Sequence, residues 1–219
     1  MLRRRESRTH AHGLPDDEDV LIGLARDGNR EAYNALVTRH QRSVFNLSYR
    51  MMGNAAEAED VTQDTFLRAW QAIHAFEAGS FRAWLLRIAT NRSYDRLRSL
   101  SRHPESSLTN NADESDMPVI DEGEDADPVM LIERINLSEA LQLALDSLPP
   151  DQRLAVILCD VMQHTHDEAA SIAGVPVGTI KSRVSRGRER LRNLIRDREE
   201  FRELVRDSRR YASGEEARR

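Results

Sequence analysis

A gap in the cationic residues constrains this chain more than any other feature. From 104 to 132 there is no Lys or Arg, while nine acids fall in the same stretch: Glu105, Asp113, Glu114, Asp116, Asp121, Glu122, Glu124, Asp125 and Asp127. Residues 104–126 are also rich in Ser and Asn and poor in apolar side chains. Such a segment buries too little surface to offset the entropy of ordering it, so it reads as a flexible acidic linker. On either side the charge reverses. Between 82 and 102 stand six arginines and a single acid, Asp95; between 181 and 198 stand eight basic residues against Glu189 and Asp197. The net charge of -5 over 219 residues averages this pattern away, and it is the distribution that bears on partners.

The linker sets the organisation. Residues 1–15 are expected to be a disordered basic tail, 16–103 a first domain, 104–126 the linker, 127–198 a second domain and 199–219 a C-terminal extension. Charged residues are 32% of the chain and aromatics only 5%, and Arg and Ala are abundant, a composition that suits helices better than a sheet core. No strand alternation and no internal repeat is present, so the expected fold class is all-α: two small helical domains joined by the linker.

Helix signals are local and legible. Residues 16–27 read as a short helix ended near Gly28. Residues 30–52 form a longer one, with Tyr33, Leu36, Val37, Val44, Leu47 and Met51 near helical spacing. Asn54 with Glu57 three residues on predicts a capping box, and that helix runs to about Phe76. Ser80 caps a helix from Phe81 to about Leu100. In the second half, Asp127 and Pro128 open a helix whose apolar stripe is Leu137, Leu141, Ala144, Leu145 and Leu148. Pro149 and Pro150 end it. Leu154, Ile157, Leu158, Val161 and Met162 are the stripe of the next helix, followed by a short helix over 165–173 and a basic helix over 177–198.

Several function classes are excluded by what the sequence lacks. One cysteine permits no internal disulfide, which fits a reducing compartment. No apolar run approaches a membrane span, and the basic N-terminus lacks the apolar stretch of a signal peptide, so a cytoplasmic protein without membrane insertion is expected. No P-loop, nucleophile elbow, metal-ligand box or catalytic carboxylate pair appears. No enzyme, cofactor, metal or small-molecule substrate is therefore expected. Cys159, His164 and His166 lack the paired spacing of zinc ligands and read as structural.

A short helix, a turn containing Gly174 and a basic helix make a helix-turn-helix. With Ile180, Val184, Leu191 and Leu194 or Ile195 facing inward, Thr179, Lys181, Ser182, Ser185, Arg186 and Arg190 are left largely outward. The start of such a helix suits the major groove, where Arg and Lys donate to guanine; later arginines suit phosphates. The alternative is an amphipathic surface helix with solvated arginines.

The segments VPVGTIK at 175–181 and SRVSRGRERL at 182–191, with Leu148, Pro149, Pro150 and Arg153 before them, resemble the −35-reading region of group 4 sigma factors of the sigma-70 family, the extracytoplasmic-function type. AEDVTQDTFLRAW at 58–70 resembles their polymerase-binding helix, and FRAWLLRIATN at 81–91 the helix that reads the −10 element. The resemblance covers roughly 16–102 and 128–196. It implies that Asp60, Gln63 and Asp64 contact the clamp helices of the largest polymerase subunit, β-prime. It implies −10 contacts from Asn91 and Asp95, with Arg87, Arg92, Arg96 and Arg98 on phosphates. It places Lys181, Ser182, Ser185 and Arg186 in the −35 groove, with Thr179, Arg183 and Arg190 completing that surface. It also implies a hold on the flap tip of the β subunit and control by an anti-sigma protein.

Asp60, Gln63 and Asp64 stand at i, i+3 and i+4, one helix face, as Asn91 and Asp95 stand at i and i+4. His166, Ala169 and Ala173 depart from the larger side chains usual in the family, which predicts thinner packing under the recognition helix. Trp84 reads as core. A linker of this length averages roughly 25 Å and stretches to about 75–80 Å, enough for two DNA elements on the order of 50 Å apart. The function implied is promoter recognition without chemistry of its own. Its main rival is a dimeric helix-turn-helix regulator that binds operator DNA without joining polymerase.

Overall fold

The computed structural model describes residues 15–102 and 128–197, with the side chains of 128–136 outside that description. The basic tail, the linker, Asp127 and the C-terminal extension lie outside the described residues. Within them the fold is helical: α1 (Glu18–Arg26), α2 (Arg30–Met52), α3 (Ala55–Ala72), α4 (Phe81–Arg102), α5 (Pro128–Asp146), α6 (Pro150–Val156), α7 (His166–Ala173) and α8 (Val177–Asp197).

Polar caps start most of these helices. The carboxylate of Asp17 accepts from the Asp19 amide at 3.0 Å, and the side chains of Asn29 and Asn54 accept from the amides three residues on, each at 3.0 Å. Ser80 does the same for Ala83 at 3.2 Å. Each satisfies an amide that the first helical turn leaves without a partner. The box expected at Asn54 forms only by half, because Glu57 turns its carboxylate to Arg96 of α4. The reciprocal box is at α7, where Thr165 and Glu168 cap each other's amides. Glu168 accepts from the Thr165 amide at 2.8 Å, which holds its carboxyl below the usual carboxylate range.

The first half packs around α2. Leu36, Val44, Leu47 and Met51 are fully buried and meet Phe66 and Ala69 of α3 and Phe81, Leu85, Leu86 and Ala89 of α4. Aromatic rings fill the joint before α4: Phe76, Phe81 and Trp84 lie with centroids 5.3–5.5 Å apart, so Trp84 packs on the core as expected. His40 is buried on α2, 2.9 Å from Glu18 of α1. Burial pulls its imidazole below the ordinary value, against the opposing pull of Glu18.

Two expected stripes need correction. Leu137 is 43% exposed and Val161 37% exposed. Among the described side chains of α5 the buried apolar positions are Ala140, Ala144 and Leu145, beside the buried Gln142, with Ala140 and Ala144 taking Leu191, Leu194 and Ile195 of α8. Val161 swings out because Ile157–Val161 forms a π-helical turn; the Met162 amide bonds back to Ile157 at 2.8 Å. One residue more per turn breaks the 3.6 periodicity on which the stripe was drawn. Ile180 and Val184 of α8 are buried, as expected. Gly187 lies on the same face, so close to α6 that a Cβ there would sit 2.6 Å from a methyl of Val156.

The two halves do not stand apart in this structure. One apolar core runs through both, and α7 packs against α4.

Candidate nucleic-acid interface

Two surfaces carry the predicted residues, one in each half. On α3, Ala58, Val61, Thr65, Phe66 and Ala69 are buried, which leaves Asp60, Gln63 and Asp64 exposed together on the opposite face. One residue was missed there: Leu67 continues the same face and is 57% exposed. Its signal was the i+3 and i+4 spacing from Asp64 and Gln63.

α4 crosses α3 so that the predicted docking residues and three of the six predicted −10 residues line one cleft of about 370 Å³, while Arg87, Asn91 and Arg98 lie outside it. Asp60, Gln63 and Asp64 form one wall; Arg92, Asp95 and Arg96 form the other. Arg92 reaches across it, 3.3 Å from Asp64 and 2.9 Å from Asp95. Arg96 grips Glu57 with two guanidinium nitrogens, one at 2.7 Å. That bidentate bond is the first cause that raises the Arg96 guanidinium above its ordinary value. Arg98 pairs with Asp95 at 3.2 Å but stays largely exposed. Asn91 is exposed on the outer face, one turn from Asp95. Arg87 is exposed yet turns toward the second half, its guanidinium 3.5 Å from where a Cβ on Gly174 would be.

In the second half, α7, the left-handed Gly174 (φ 66°) and α8 form the helix-turn-helix. A left-handed residue ends α7 and redirects the chain, and glycine adopts that conformation without a Cβ penalty. Lys181, Ser185, Arg186 and Arg190 are exposed on one side of α8, while Thr179 and Ser182 are half-buried. The Ser182 hydroxyl donates to the Thr179 carbonyl at 2.9 Å. Arg183 differs: it is half-buried and bound to Asp151 at 3.2 Å. Arg188 pairs with Asp160, with Nε at 3.1 Å. Lys181, Arg186, Arg190 and Arg192 are further exposed cations of α8. Before α7, Gln163 takes a left-handed φ of 60°, a strained conformation for a residue with a Cβ. It turns the chain from the π-helical turn into the helix-turn-helix. On α5, Leu143 is 64% exposed, an apolar position not anticipated from the sequence.

Among the described residues, no group of three or more His, Cys, Asp or Glu is placed to hold a metal ion. No helix among them is long and apolar enough to cross a membrane. Cys159 is half-buried, and burial pushes its thiol up, away from the thiolate that reactive cysteines need.

Comparison with known proteins places both halves. Residues 36–103 match the family model for sigma-70 region 2, and 138–191 match that for sigma-70 region 4. The chain is 38% identical over 164 residues to the ECF RNA polymerase sigma factor SigE of Mycolicibacterium smegmatis, covering 75% of this chain and 62% of that protein. It is 33% identical over 180 residues to the ECF sigma factor SigW of Bacillus subtilis, covering 80% of this chain and 95% of SigW. With the ECF sigma-E factor of Escherichia coli it shares 32% over 183 residues, 81% of this chain and 94% of that one. Among solved structures, it resembles CnrH in complex with the cytosolic domain of CnrY at 27% identity and a TM-score of 0.59, over 83% of this chain and 99% of that one. It also resembles the sigma factor RpoE of Bartonella quintana in complex with the anti-sigma factor NepR, at 30% identity and a TM-score of 0.57, over 75% and 96% of the two chains.

Proposed function

The chain belongs to the extracytoplasmic-function group of the sigma-70 family, the promoter-recognising initiation factors of RNA polymerase, and from that membership we propose how its residues divide the work. The first half docks on core polymerase through Asp60, Gln63 and Asp64, with Leu67 as apolar anchor, against the clamp helices of β-prime. Asn91 and Asp95 read the −10 element, and Arg87, Arg92, Arg96 and Arg98 neutralise its phosphates. Asn pairs with an adenine edge or holds a base swung out of the stack, and Asp accepts from cytosine. The second half reads the −35 element. Lys181, Ser182, Ser185 and Arg186 face the groove, and Thr179 and Arg190 complete the surface, with Arg183 joining it only on release from Asp151. Its exposed leucines on α5, Leu137 and Leu143, hold the β flap tip.

The observation that carries this assignment is the shared cleft between α3 and α4. One pair of packed helices presents an acidic and amide face on α3 and the Asn91 face on α4. Polymerase and DNA then engage the same rigid unit from two sides. Arg92, bound to Asp64 and Asp95 at once, ties the docking face to the reading face. The chain supplies promoter choice, strand separation and later release, while polymerase carries out nucleotidyl transfer in the cytoplasm. An anti-sigma partner is proposed on the strength of the NepR complex of its structural relative.

Run-off transcription with core polymerase on a genomic promoter library tests the whole scheme. New start sites are expected only with the chain present. A silent reaction, together with failure to co-purify with core enzyme, overturns it in favour of an operator-binding regulator. Replacing Asp60→Ala with Gln63→Ala is expected to weaken core binding while sparing −35 duplex binding. Equal loss of both contradicts the division of labour.

A further inference from the structure

Two ion pairs tie the recognition helix α8 to the segment beneath it. Arg183 Nε lies 3.2 Å from the carboxylate of Asp151, in the first turn of α6. Arg188 meets Asp160 with two guanidinium nitrogens, Nε at 3.1 Å and Nη2 at 2.5 Å. That doubled bond is the first cause that raises the Arg188 guanidinium above its ordinary value. Asp160 stands inside the π-helical turn, and its carbonyl accepts from the Gln163 side chain at 2.6 Å. Gln163 is the residue held at a left-handed φ of 60°. Two departures from regular backbone, a π-helical turn and a strained φ, thus converge on the residue that takes Arg188.

The two arginines flank the seam on which α8 rests. Ile180, Val184 and Gly187 are buried there, and at about 100° per residue they cover about 60° of the helix surface. Arg183 lies about 70° to one side of the centre of that line and Arg188 about 70° to the other. The pairs therefore oppose rolling of α8 in both senses. The seam alone resists rolling weakly, because Gly187 brings bare backbone against Val156 and has no side chain to key into α6. Side chains of a helix end about 5–6 Å from its axis, so a roll of about 20° carries a base-reading group about 2 Å sideways, out of hydrogen-bond range. Arg188 is 55% exposed and Asp160 31%, and pairs so exposed add little to stability. Two bonds from a planar guanidinium instead fix direction.

We propose that Asp151 and Asp160 are positioning residues for −35 recognition: through Arg183 and Arg188 they set the roll of α8, and so aim Lys181, Ser182, Ser185 and Arg186 at the groove without touching DNA themselves. Arg188, like Arg183 while Asp151 holds it, is then a brace and not a phosphate ligand. The proposal rests on the promoter-factor reading above.

The test reads sequence preference. Full-length variants are loaded on Escherichia coli core enzyme and given promoter fragments randomised over the −35 region, and the bound fragments are sequenced. Asp160→Asn and Arg188→Gln are each expected to reduce the −35 preference about threefold, and Asp151→Asn with Asp160→Asn about tenfold, the range open to exposed ion pairs. Asp160→Asn with Arg188→Gln is expected to be no worse than either alone, since both remove one contact. A change in fold stability alone lowers occupancy on every sequence alike and leaves the preference unmoved. The salt dependence of Arg188→Gln binding is expected to match wild type. A uniform loss over all sequences with a log–log salt slope smaller by about one makes Arg188 a phosphate ligand and overturns the proposal. So does a preference that survives Asp151→Asn with Asp160→Asn. If wild-type holoenzyme prefers no sequence, the promoter-factor reading fails, and spin labels at Ser185→Cys and Glu139→Cys, with Cys159→Ser, still decide the brace. Removing both carboxylates is expected to shift or broaden the distance between the labels by about 2 Å, and an unmoved distribution overturns it.

Discussion

Replacing a helical glycine by alanine ordinarily stabilises a helix, by about 0.8–1.0 kcal/mol. Gly187→Ala on α8 is expected to do the reverse. The new Cβ would stand 2.6 Å from a methyl of Val156 and 3.5 Å from the Gln152 carbonyl, where carbon–carbon contact belongs at roughly 3.5–4.0 Å. Val156 is 3% exposed and β-branched, so on a helix it has essentially one rotamer and nowhere to turn. Helix α8 must then lift from α6 by up to about 1 Å, an overpacking that costs about 1–3 kcal/mol. Against the propensity gain, the net expected loss is up to about 2 kcal/mol. Gly23→Ala on α1 is the internal control, because nothing lies within 4 Å of its Cβ position; it is expected to gain up to about 1 kcal/mol. Urea denaturation followed by far-ultraviolet circular dichroism reads both as midpoint shifts of opposite sign. A stabilised Gly187→Ala protein refutes the close approach of α8 to α6, and with it the placement of the recognition helix.

The pH dependence follows from His40. Unfolded, it takes a proton near 6.5, whereas burial lets the folded imidazole do so only at lower pH, so its contribution is intact above about 6.5 and lost as pH falls through the folded value. The urea midpoint is expected to drop between about pH 7.5 and 5.5, with His164, depressed by burial and by Arg82, acting in the same direction; His40→Gln is expected to flatten the slope, and parallel slopes contradict the assignment. Thr165→Ala removes the α7 capping box and is expected to cost about 1 kcal/mol in urea melts; an unchanged midpoint counts against the cap. Arg186→Ala is expected to relax −35 sequence choice by about 1–3 kcal/mol in competition binding, whereas a uniform loss over all sequences marks a phosphate contact.

Local structure was legible in neighbouring residues. Helix starts at Asp17, Asn29, Asn54 and Ser80 use side chains that reach amides two or three residues on, so they are written in adjacent letters. The outward faces of Asp60, Gln63 and Asp64 and of Asn91 and Asp95 follow from 3.6 residues per turn, as does the inward face of Ile180 and Val184. Where the local rule itself changed, at the π-helical turn of Ile157–Val161, the sequence misplaced Val161.

Which charges meet depends on how the helices pack. Glu57 left its expected cap for Arg96, Arg92 bridged to Asp64, Arg183 turned to Asp151, and Arg153 reached the Met51 carbonyl. Each partner lies tens of residues away, on a helix whose crossing is set by how Phe66, Leu85, Val156 and Gly187 pack, and nothing in the spacing of a charge along its own helix encodes that crossing. The acidic stretch of 104–126 reads as the spacer between the two halves. That the two halves also close on each other is decided by the carbonyls at the end of α2 and the side chains that satisfy them.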